Sequence, residues 1–268
     1  MTAALLEVRD LSRSFGGVRA VDGISFTLHA GELLALIGPN GAGKSTTFNM
    51  VGGQLGASGG SVRLGGRELV GLKPREIARM GVGRTFQIAA TFASFTVVEN
   101  VQMALLSHHG RVFSLWRPAT SHFRDEAARL LDQVGMLDQA GRPCSELAYG
   151  DVKRVELAVA LANDPKLLLM DEPTAGMAPR ERNELMALTK RLVVRRGMAV
   201  LFTEHSMDVV FGHADRVIVL ARGRLIAEGD VEAIRSHPKV KEVYFGSGNT
   251  FGHAPAPTVP EGASLDHA

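Results

Sequence analysis

The sequence is short of cysteine, of long apolar runs and of excess charge, and each shortage narrows the possible functions. Cys144 is the only cysteine in 268 residues, which excludes an internal disulfide and a metal cluster held by several cysteines. No stretch reaches the roughly 18 uninterrupted apolar residues of a membrane-spanning helix. The opening residues, MTAALLEVRDL, lack the basic start and apolar stretch of a leader peptide. We therefore expect a cytosolic protein that does not itself cross a membrane.

The charges are nearly balanced, with 30 Lys and Arg residues against 28 Asp and Glu, a formal net charge of +2. This is not the basic excess that is typical of nucleic-acid-binding domains. Hydrophobic residues make up 45% of the chain, enough to form the core of one large α/β domain or two small ones. Residues 246–268 are the exception, because their three prolines and lack of periodicity predict a disordered tail.

Apolar patterns predict an α/β fold with two kinds of strand. Alternating apolar positions within residues 7–28, clearest from Ile24 to Leu28, indicate an antiparallel layer, and Val62 and Leu64 lead into a Gly-Gly hairpin turn. Continuous apolar runs are typical instead of strands covered on both faces in a parallel sheet. Such runs occupy residues 33–37, 167–170, 199–203 and 217–220.

Residues from about 97 to 163 have helical periodicity and lie between the two strand-rich regions. One face of a predicted helix there carries Phe123, Ala127, Leu130, Leu131 and Val134. Another helix is predicted to begin at Pro179, since proline is favoured at a first helical position, and to cross back before the strand at 199–203. We therefore expect a parallel-sheet core with an N-terminal antiparallel β-subdomain and an inserted helical subdomain.

A glycine-rich phosphate-binding loop follows the strand at 33–37. Residues 38–45, GPNGAGKS, match G-x-x-x-x-G-K-[ST], and a helical pattern begins at Ser45. In a P-loop, backbone N–H groups and the helix dipole bind the α- and β-phosphates, Lys44 reaches the β- and γ-phosphates, and the Ser45 hydroxyl binds Mg²⁺. The flanking strand and helix favour this interpretation over a glycine-rich turn with an unrelated lysine. The sequence thus predicts a P-loop NTPase fold that binds a nucleoside triphosphate together with Mg²⁺.

The predicted nucleotide-binding residues of this loop are Gly38, Pro39, Asn40, Gly41, Ala42, Gly43, Lys44, Ser45 and Thr46. A P-loop needs a second Mg²⁺ anchor at a neighbouring strand end, and Asp171 directly follows the buried run at 167–170. Glu172 is placed to polarise a water in line with the γ-phosphate, a role worth on the order of 10²–10⁴-fold in rate. Its presence favours hydrolysis, and a simple acidic turn after a strand is the alternative.

Three further motifs stand in a fixed order around these elements. Residues 85–87 read Thr-Phe-Gln, residues 147–151 read LAYGD at the start of a helix, and residues 203–205 read Thr-Glu-His after a buried strand. Together with the P-loop, they resemble the ATPase subunits of ABC transporters, and the resemblance covers about residues 5–245. It implies one ABC ATPase domain over residues 1–245, with the helical subdomain inserted at about 88–164. It also implies a RecA-like P-loop NTPase core that takes ATP and Mg²⁺.

The resemblance assigns roles to three side chains. It implies that Gln87 links Mg²⁺ and the attacking water to the helical insert, that His205 contacts the γ-phosphate, and that Phe15 stacks on adenine. Taken alone, Phe15 could belong to the core, Gln87 could be an ordinary polar loop residue, and His205 could be structural. The catalytic residues are then predicted to be Glu172, His205 and Gln87, and the Mg²⁺ ligands Ser45, Gln87 and Asp171.

The LAYGD segment stands where the family has its LSGGQ signature. The resemblance implies that the N–H groups of Tyr149 and Gly150, at a helix N-terminus, bind the nucleotide of a second subunit. The departures from the family pattern are Ala148 for serine, Asp151 for glutamine and Ala178 for the aspartate or asparagine common in the D-loop at 175–178. Losing the serine hydroxyl is expected to weaken this contact by about 1 kcal/mol.

Several segments resemble one branch of the family, the ATPase subunits of branched-chain amino acid importers (the LivG-like group). They read GGVRAVDGISF, GVGRTFQ, KRVELAVAL, AGMAP and VYFG. This resemblance implies peripheral attachment to the cytoplasmic face of the inner membrane. It also implies three partners: transmembrane permease subunits, a second identical or homologous ATPase subunit bound head to tail, and indirectly a periplasmic solute-binding protein. No nucleic-acid partner is expected.

Three other functions are alternatives to an importer ATPase. A soluble ABC ATPase acting on DNA or ribosomes usually has long coiled-coil insertions or paired nucleotide domains, and this sequence shows neither. A P-loop kinase or GTPase would leave the signature helix and His205 unexplained. A non-hydrolysing binding module stays open because of Ala148, Asp151 and Ala178.

Residues 85–98, TFQIAATFASFTVV, form an uncharged stretch that includes Phe92 and Phe95. Such a stretch could be part of the core. The resemblance implies the alternative, that part of it lines a groove for a short helix of the membrane subunit.

Overall fold

The computed structural model describes residues 4–85, 91–110 and 123–245. Gln87 and the predicted disordered tail at 246–268 lie outside the described residues. The strands are β1 (Ala4–Phe15), β2 (Val18–His29), β3 (Leu33–Ile37), β4 (Gly59–Leu64), β5 (Arg67–Glu68), β6 (Val82–Thr85), β7 (Leu167–Asp171), β8 (Ala199–Thr203), β9 (Arg216–Ala221) and β10 (Arg224–Gly229). The α-helices are α1 (Lys44–Val51), α2 (Pro74–Arg79), α3 (Val97–His108), α4 (Arg124–Gln133), α5 (Tyr149–Leu161), α6 (Pro179–Arg196), α7 (Met207–His213), α8 (Val231–Ser236) and α9 (Pro238–Phe245).

The central sheet of the described residues has the strand order β10-β9-β3-β8-β7-β6. All neighbours pair in parallel except β10, which is antiparallel to β9. The carboxyl ends of β3, β7 and β8 therefore meet at one edge of the sheet, where open α/β sheets bind ligands. Residues 38–45 follow β3 at this edge, Asp171 ends β7 and Thr203 ends β8.

The predicted antiparallel layer is confirmed as a second sheet with the order β2-β1-β4-β5. Its β4–β5 hairpin turns at Gly65 and Gly66, whose φ angles of 54° and 78° suit the tight hairpin turns that favour glycine. The predicted turn after Val62 and Leu64 is thus where the sequence indicates it.

The core lies on both faces of the central sheet, and β3 contributes to each. Leu33, Ala35 and Ile37 pack in a cluster with the helices, whereas Leu34 and Leu36 pack in a cluster with the antiparallel sheet. All five side chains are fully buried. This two-sided burial explains why the strand reads as a continuous apolar run.

Helices α3, α4 and α5 lie where the sequence predicts the helical insert. The predicted apolar face of α4 is confirmed, since Ala127, Leu130, Leu131 and Val134 are buried and Phe123 packs partly buried against them. A reciprocal cap begins α3: the Thr96 N–H donates to Glu99 at 2.9 Å, and the Glu99 N–H donates to Thr96 Oγ1 at 3.4 Å.

Helix α6 begins at Pro179, as predicted, and ends before Gly197, whose φ of 63° closes the helix. The sequence patterns did not predict β6, β10, α2 or α7 to α9. Strand β6 has four residues, and its Gly83 lies where a Cβ atom would come within 3.0 Å of Pro165.

No helix in the described part of the chain is both long and apolar enough to span a bilayer.

Candidate nucleotide site

The loop between β3 and α1 has a backbone that requires glycine at two positions. Gly38 and Gly43 have φ angles of 153° and 101°, in the region that side chains disfavour. A Cβ atom on Gly43 would lie 2.5 Å from the Ala20 carbonyl oxygen, and one on Gly38 would overlap that of Leu220. The loop thus packs closely against the backbone of Ala20 and Leu220, and glycine is needed at both positions, as the sequence motif predicts.

Lys44 is buried within this loop, with 8% of its surface exposed. Its Nζ donates to the carbonyl oxygens of Gly38 at 2.7 Å and Pro39 at 3.2 Å. Burial lowers the pKa of Lys44, while the charges of Glu172 and Asp171 oppose that fall. The fold therefore brings the predicted phosphate-binding cation close to both predicted carboxylates.

Asp171 ends β7 and is paired in register with Thr203 at the end of β8. The Thr203 hydroxyl donates to Asp171 Oδ1 at 2.7 Å, and Arg84 Nη2 lies 3.4 Å from Asp171 Oδ2. Both oxygens of the carboxylate are thus held by groups from neighbouring strands.

Glu172 follows with a φ of 48°, a left-handed conformation that costs energy for a residue other than glycine. Its N–H donates to the Thr203 carbonyl at 3.2 Å and to Thr203 Oγ1 at 3.1 Å, which stabilises this turn. The Glu172 side chain lies against His205, the predicted γ-phosphate contact, with Oε1 at 2.9 Å from His205 Nε2. The structure therefore brings these two predicted catalytic side chains into contact.

Glu204 joins the turns after β7 and β8 from a buried position, with 4% exposed. Its carboxylate accepts from Thr174 N at 3.0 Å, from Thr174 Oγ1 at 2.5 Å and from the His205 N–H at 3.1 Å. The buried Glu204 carboxylate thus holds two backbone positions near the Glu172–His205 contact, the N–H of Thr174 and the N–H of His205.

The start of α5 carries the signature segment. Ala148 precedes the helix and supplies no side-chain hydrogen bond to it. Tyr149 is 47% exposed, whereas Gly150 is buried, and a Cβ atom on Gly150 would lie 3.3 Å from the Glu181 carboxylate. Glu181 belongs to α6 and also accepts from the Ala178 N–H at 3.2 Å. Glu181 therefore lies beside both the signature segment and the predicted D-loop of the same chain.

Phe15 lies at the end of β1 and is 47% exposed, which excludes the alternative that it belongs to the core. The Arg13 guanidinium carbon lies 4.9 Å from the centroid of the Phe15 ring.

In the uncharged stretch at 85–98, Phe92 is 55% exposed and Phe95 is half-buried, with ring centroids 5.1 Å apart. Phe92 thus lies at the surface, and Phe95 lies partly in the interior.

Comparison with known proteins identifies the family. A family model described as ABC transporter matches residues 21–175. The chain belongs to the ABC transporter ATP-binding family. A second model, described as branched-chain amino acid ATP-binding cassette transporter, matches residues 224–249 of this cassette.

Curated relatives and solved structures agree with this assignment. The LivG protein of Salmonella typhimurium, a high-affinity branched-chain amino acid transport ATP-binding protein, is 41% identical, covering 92% of this chain and 99% of its own. BraF of Pseudomonas aeruginosa, with the same description, is 38% identical over the same shares. The ADP conformation of an ATP-binding cassette has a TM-score of 0.83 at 31% identity, covering 91% of this chain and all of that one. A nucleotide-free cassette has a TM-score of 0.80 at 30% identity and the same coverage. The cassette is therefore an ATPase of the P-loop NTPase fold.

The oxygen donors of the cassette suit Mg²⁺. Mg²⁺ takes one or two protein oxygen ligands together with substrate phosphates and waters, and Ser45 is exposed at the start of α1. Among the described residues, no group of three or more His, Cys, Asp or Glu side chains is placed to hold a metal ion by itself. Ser45 and Asp171 could thus hold Mg²⁺ that arrives with a nucleotide.

Sequence reasoning missed Arg84, Thr203 and Glu204. Arg84 directly precedes the 85–87 motif. Thr203 and Glu204 belong to the 203–205 motif, in which only His205 has a predicted role. A polar residue between a buried strand and a candidate histidine was the available signal.

Proposed function

We propose that this cassette hydrolyses ATP to drive the uptake of branched-chain amino acids, or of related small solutes, through membrane permease subunits. The observation that carries the hydrolytic part is the 2.9 Å contact between Glu172 and His205, next to Asp171 and near the charge of Lys44. The transport part is supported by the descriptions of the LivG and BraF relatives and by the match of residues 224–249 to the branched-chain cassette model.

In this proposal, residues 38–46 bind the triphosphate and Phe15 stacks on the adenine. Lys44 would exchange its contacts with the Gly38 and Pro39 carbonyls for phosphate oxygens, which are stronger acceptors because they are charged. Ser45, Asp171 and Gln87 would hold Mg²⁺, whose charge neutralises the phosphates when it is bound. Support for this arrangement comes from the exposed Ser45 hydroxyl and the oriented Asp171 carboxylate.

Glu172 acts as the general base of the reaction. Its carboxylate takes a proton from the water whose oxygen bonds to the γ-phosphorus, while the bond from that phosphorus to the β-γ bridging oxygen breaks. His205 Nε2 lies 2.9 Å from this carboxylate, and in the proposal the histidine also contacts the γ-phosphate. Thr203 and Glu204 orient the pair through the backbone on each side.

The complete site needs a second ATPase subunit, identical or homologous, bound head to tail. The N–H groups of Tyr149 and Gly150 begin α5, where a helix N-terminus favours phosphate. The Glu181 carboxylate of the same chain lies beside Gly150, since a Cβ atom on that glycine would come within 3.3 Å of it. Ala148 offers no hydroxyl to that nucleotide, so we expect the contact to be weaker by about 1 kcal/mol, and the ATPase activity of the purified subunit separates an active ATPase from a non-hydrolysing module.

The surface at Phe92 and Phe95 is our candidate contact for the permease subunits. Two neighbouring aromatic rings, one of them mostly exposed, offer apolar area to a short helix. Such a contact would hold the cassette at the cytoplasmic face of the inner membrane as a peripheral subunit. A periplasmic solute-binding protein would then deliver the solute on the opposite side, and no nucleic acid takes part.

Glu172→Gln and Lys44→Ala test the hydrolytic mechanism. We expect Glu172→Gln to bind ATP, to lose at least about 100-fold in turnover and to accumulate an ATP-bound dimer. Lys44→Ala should lose nucleotide affinity. Glu184→Gln is the matched control, because Glu184 pairs with Arg180 on the surface of α6 and should keep full activity. Wild-type turnover in Glu172→Gln would contradict the assignment, and an inactive wild-type subunit would favour the binding module.

The solute is tested separately, by co-purifying the permease subunits and reconstituting them in vesicles with the cassette. ATP-dependent uptake of labelled leucine, isoleucine or valine supports the proposal. Uptake of chemically unrelated solutes alone would contradict it and leave the ATPase assignment intact.

A further inference from the structure

Arg84 connects the P-loop helix to the strand that carries Asp171. Its side chain lies on β6 and is only 17% exposed. The guanidinium Nη1 donates to Asn49 Oδ1 at 2.9 Å, and Nη2 lies 3.4 Å from Asp171 Oδ2. One planar group therefore contacts α1 and β7 at once.

Asn49, which accepts this hydrogen bond from Arg84, lies four residues after Ser45 on α1. Residues at i and i+4 share a helix face, so Asn49 and Ser45 project on the same side. Arg84 thus joins the face of α1 that carries the Ser45 hydroxyl to the carboxylate of Asp171. The two groups that we propose as ligands of Mg²⁺ are connected through it.

The Asp171 carboxylate is held at both oxygens. Thr203 donates to Oδ1 at 2.7 Å, and Arg84 approaches Oδ2. An ionised carboxylate has about four lone-pair positions, so further positions stay available to a ligand. Two partners on different strands fix the plane of the carboxylate, and such partners orient metal ligands in proteins.

We propose that Arg84 is a positioning residue that aims the Asp171 carboxylate at the metal of the nucleotide complex. The inference rests on the proposed function, because it takes Asp171 as a Mg²⁺ ligand. Arginine suits the position better than lysine, since its rigid fork reaches Asn49 and Asp171 at the same time. Arg84 acts through Asp171 and contacts no reacting atom.

Binding of Mn²⁺, followed by electron paramagnetic resonance in the presence of a non-hydrolysable ATP analogue, tests the inference without relying on turnover. Arg84→Ala should weaken Mn²⁺ binding about tenfold or more, while affinity for the analogue without metal changes less. Arg84→Lys should recover part of the loss, because it keeps the charge but not the fork. Arg154→Ala is the matched control, since Arg154 pairs with Glu184 at 3.0 Å away from the site.

Asn49→Ala tests the bridge itself. If Asn49 acts by holding Arg84, the variant lowers Mn²⁺ affinity in the same direction, and the double variant is no worse than Arg84→Ala alone. If Arg84→Ala does not fold, wild-type Mn²⁺ affinity in both Arg84→Lys and Asn49→Ala overturns the inference.

Two results would refute the role of Arg84 directly. Mn²⁺ affinity within twofold of wild type in a folded Arg84→Ala is one, and tighter binding is the other, since it would make Arg84 a competing cation. Asp171→Asn separates this failure from failure of the proposed function. Loss of Mn²⁺ binding in Asp171→Asn with none in Arg84→Ala rejects only the inference, whereas no loss in Asp171→Asn rejects the metal site.

Discussion

Replacing Thr203 with valine removes a hydroxyl that contacts the Asp171 carboxylate and the backbone of Glu172. Thr203 is 1% exposed, and its Oγ1 donates to Asp171 at 2.7 Å and accepts from the Glu172 N–H at 3.1 Å. Valine has nearly the same shape, so the change leaves no cavity. Glu172 N keeps its second acceptor, the Thr203 carbonyl at 3.2 Å. The main loss is thus a hydrogen bond to a charged group, worth about 1.5–3 kcal/mol.

Urea unfolding measures this loss as a fall in the free energy of unfolding of about 2 kcal/mol. In a chain of this size that corresponds to a melting temperature lower by about 4–8 °C. Thr203→Ser is the control, because it keeps the hydroxyl and loses one buried methyl group, worth about 0.8 kcal/mol. Thr203→Val should therefore be the less stable of the two. If it matches the wild type, or exceeds Thr203→Ser in stability, the reasoning about this hydroxyl is refuted.

Three further predictions concern the dimer, the permease contact and pH. Gly150→Asp sets a second carboxylate beside Glu181, so it should block ATP-dependent dimerisation in size-exclusion chromatography and leave ATP binding by the monomer nearly intact; dimerisation at wild-type affinity would contradict the head-to-tail geometry. Phe95→Asp should keep nucleotide binding but lose about tenfold or more in affinity for the permease subunits, measured by co-purification; misfolding would favour the core interpretation, and normal transport would exclude both. The pKa of His213 is lowered, mainly by burial and also by the nearby Lys190 charge, so the folded state favours the neutral imidazole. Its contribution to stability is complete above the unfolded pKa of about 6.5 and is lost as pH falls below it; His213→Gln should flatten the dependence of the urea midpoint between pH 7 and 5, and an unchanged slope would count against this origin.

Local patterns were enough to predict the P-loop and its setting. The strand, the glycine-rich loop and the first helix are consecutive, so the φ angles that Gly38 and Gly43 need are encoded within one short segment. Helix α6 likewise begins at Pro179, because proline is compatible with a first helical turn. Each prediction depended on residues close together in the chain.

The exposure of Phe15 could not be read from the sequence in the same way. Alternation along β1 indicates which side chains share a face, but not whether another layer covers the end of the strand. Only the paired sheets decide that Phe15 is on the surface. The four residues of β6 were too few to show a period, and their pairing with β7 became visible only in the sheet.

The chain by itself thus determined the family, the fold class and the motif residues, because each depends on short-range patterns. Tertiary structure alone decided how the Asp171 and Glu172 carboxylates are held. Arg84 is 35 positions from Asn49 and 87 from Asp171, and Thr203 lies 32 positions beyond Asp171. These groups meet because parallel strands bring carboxyl ends that are distant in the chain to one edge of the sheet. The apolar pattern within one strand does not show which side chains of other strands it will contact there.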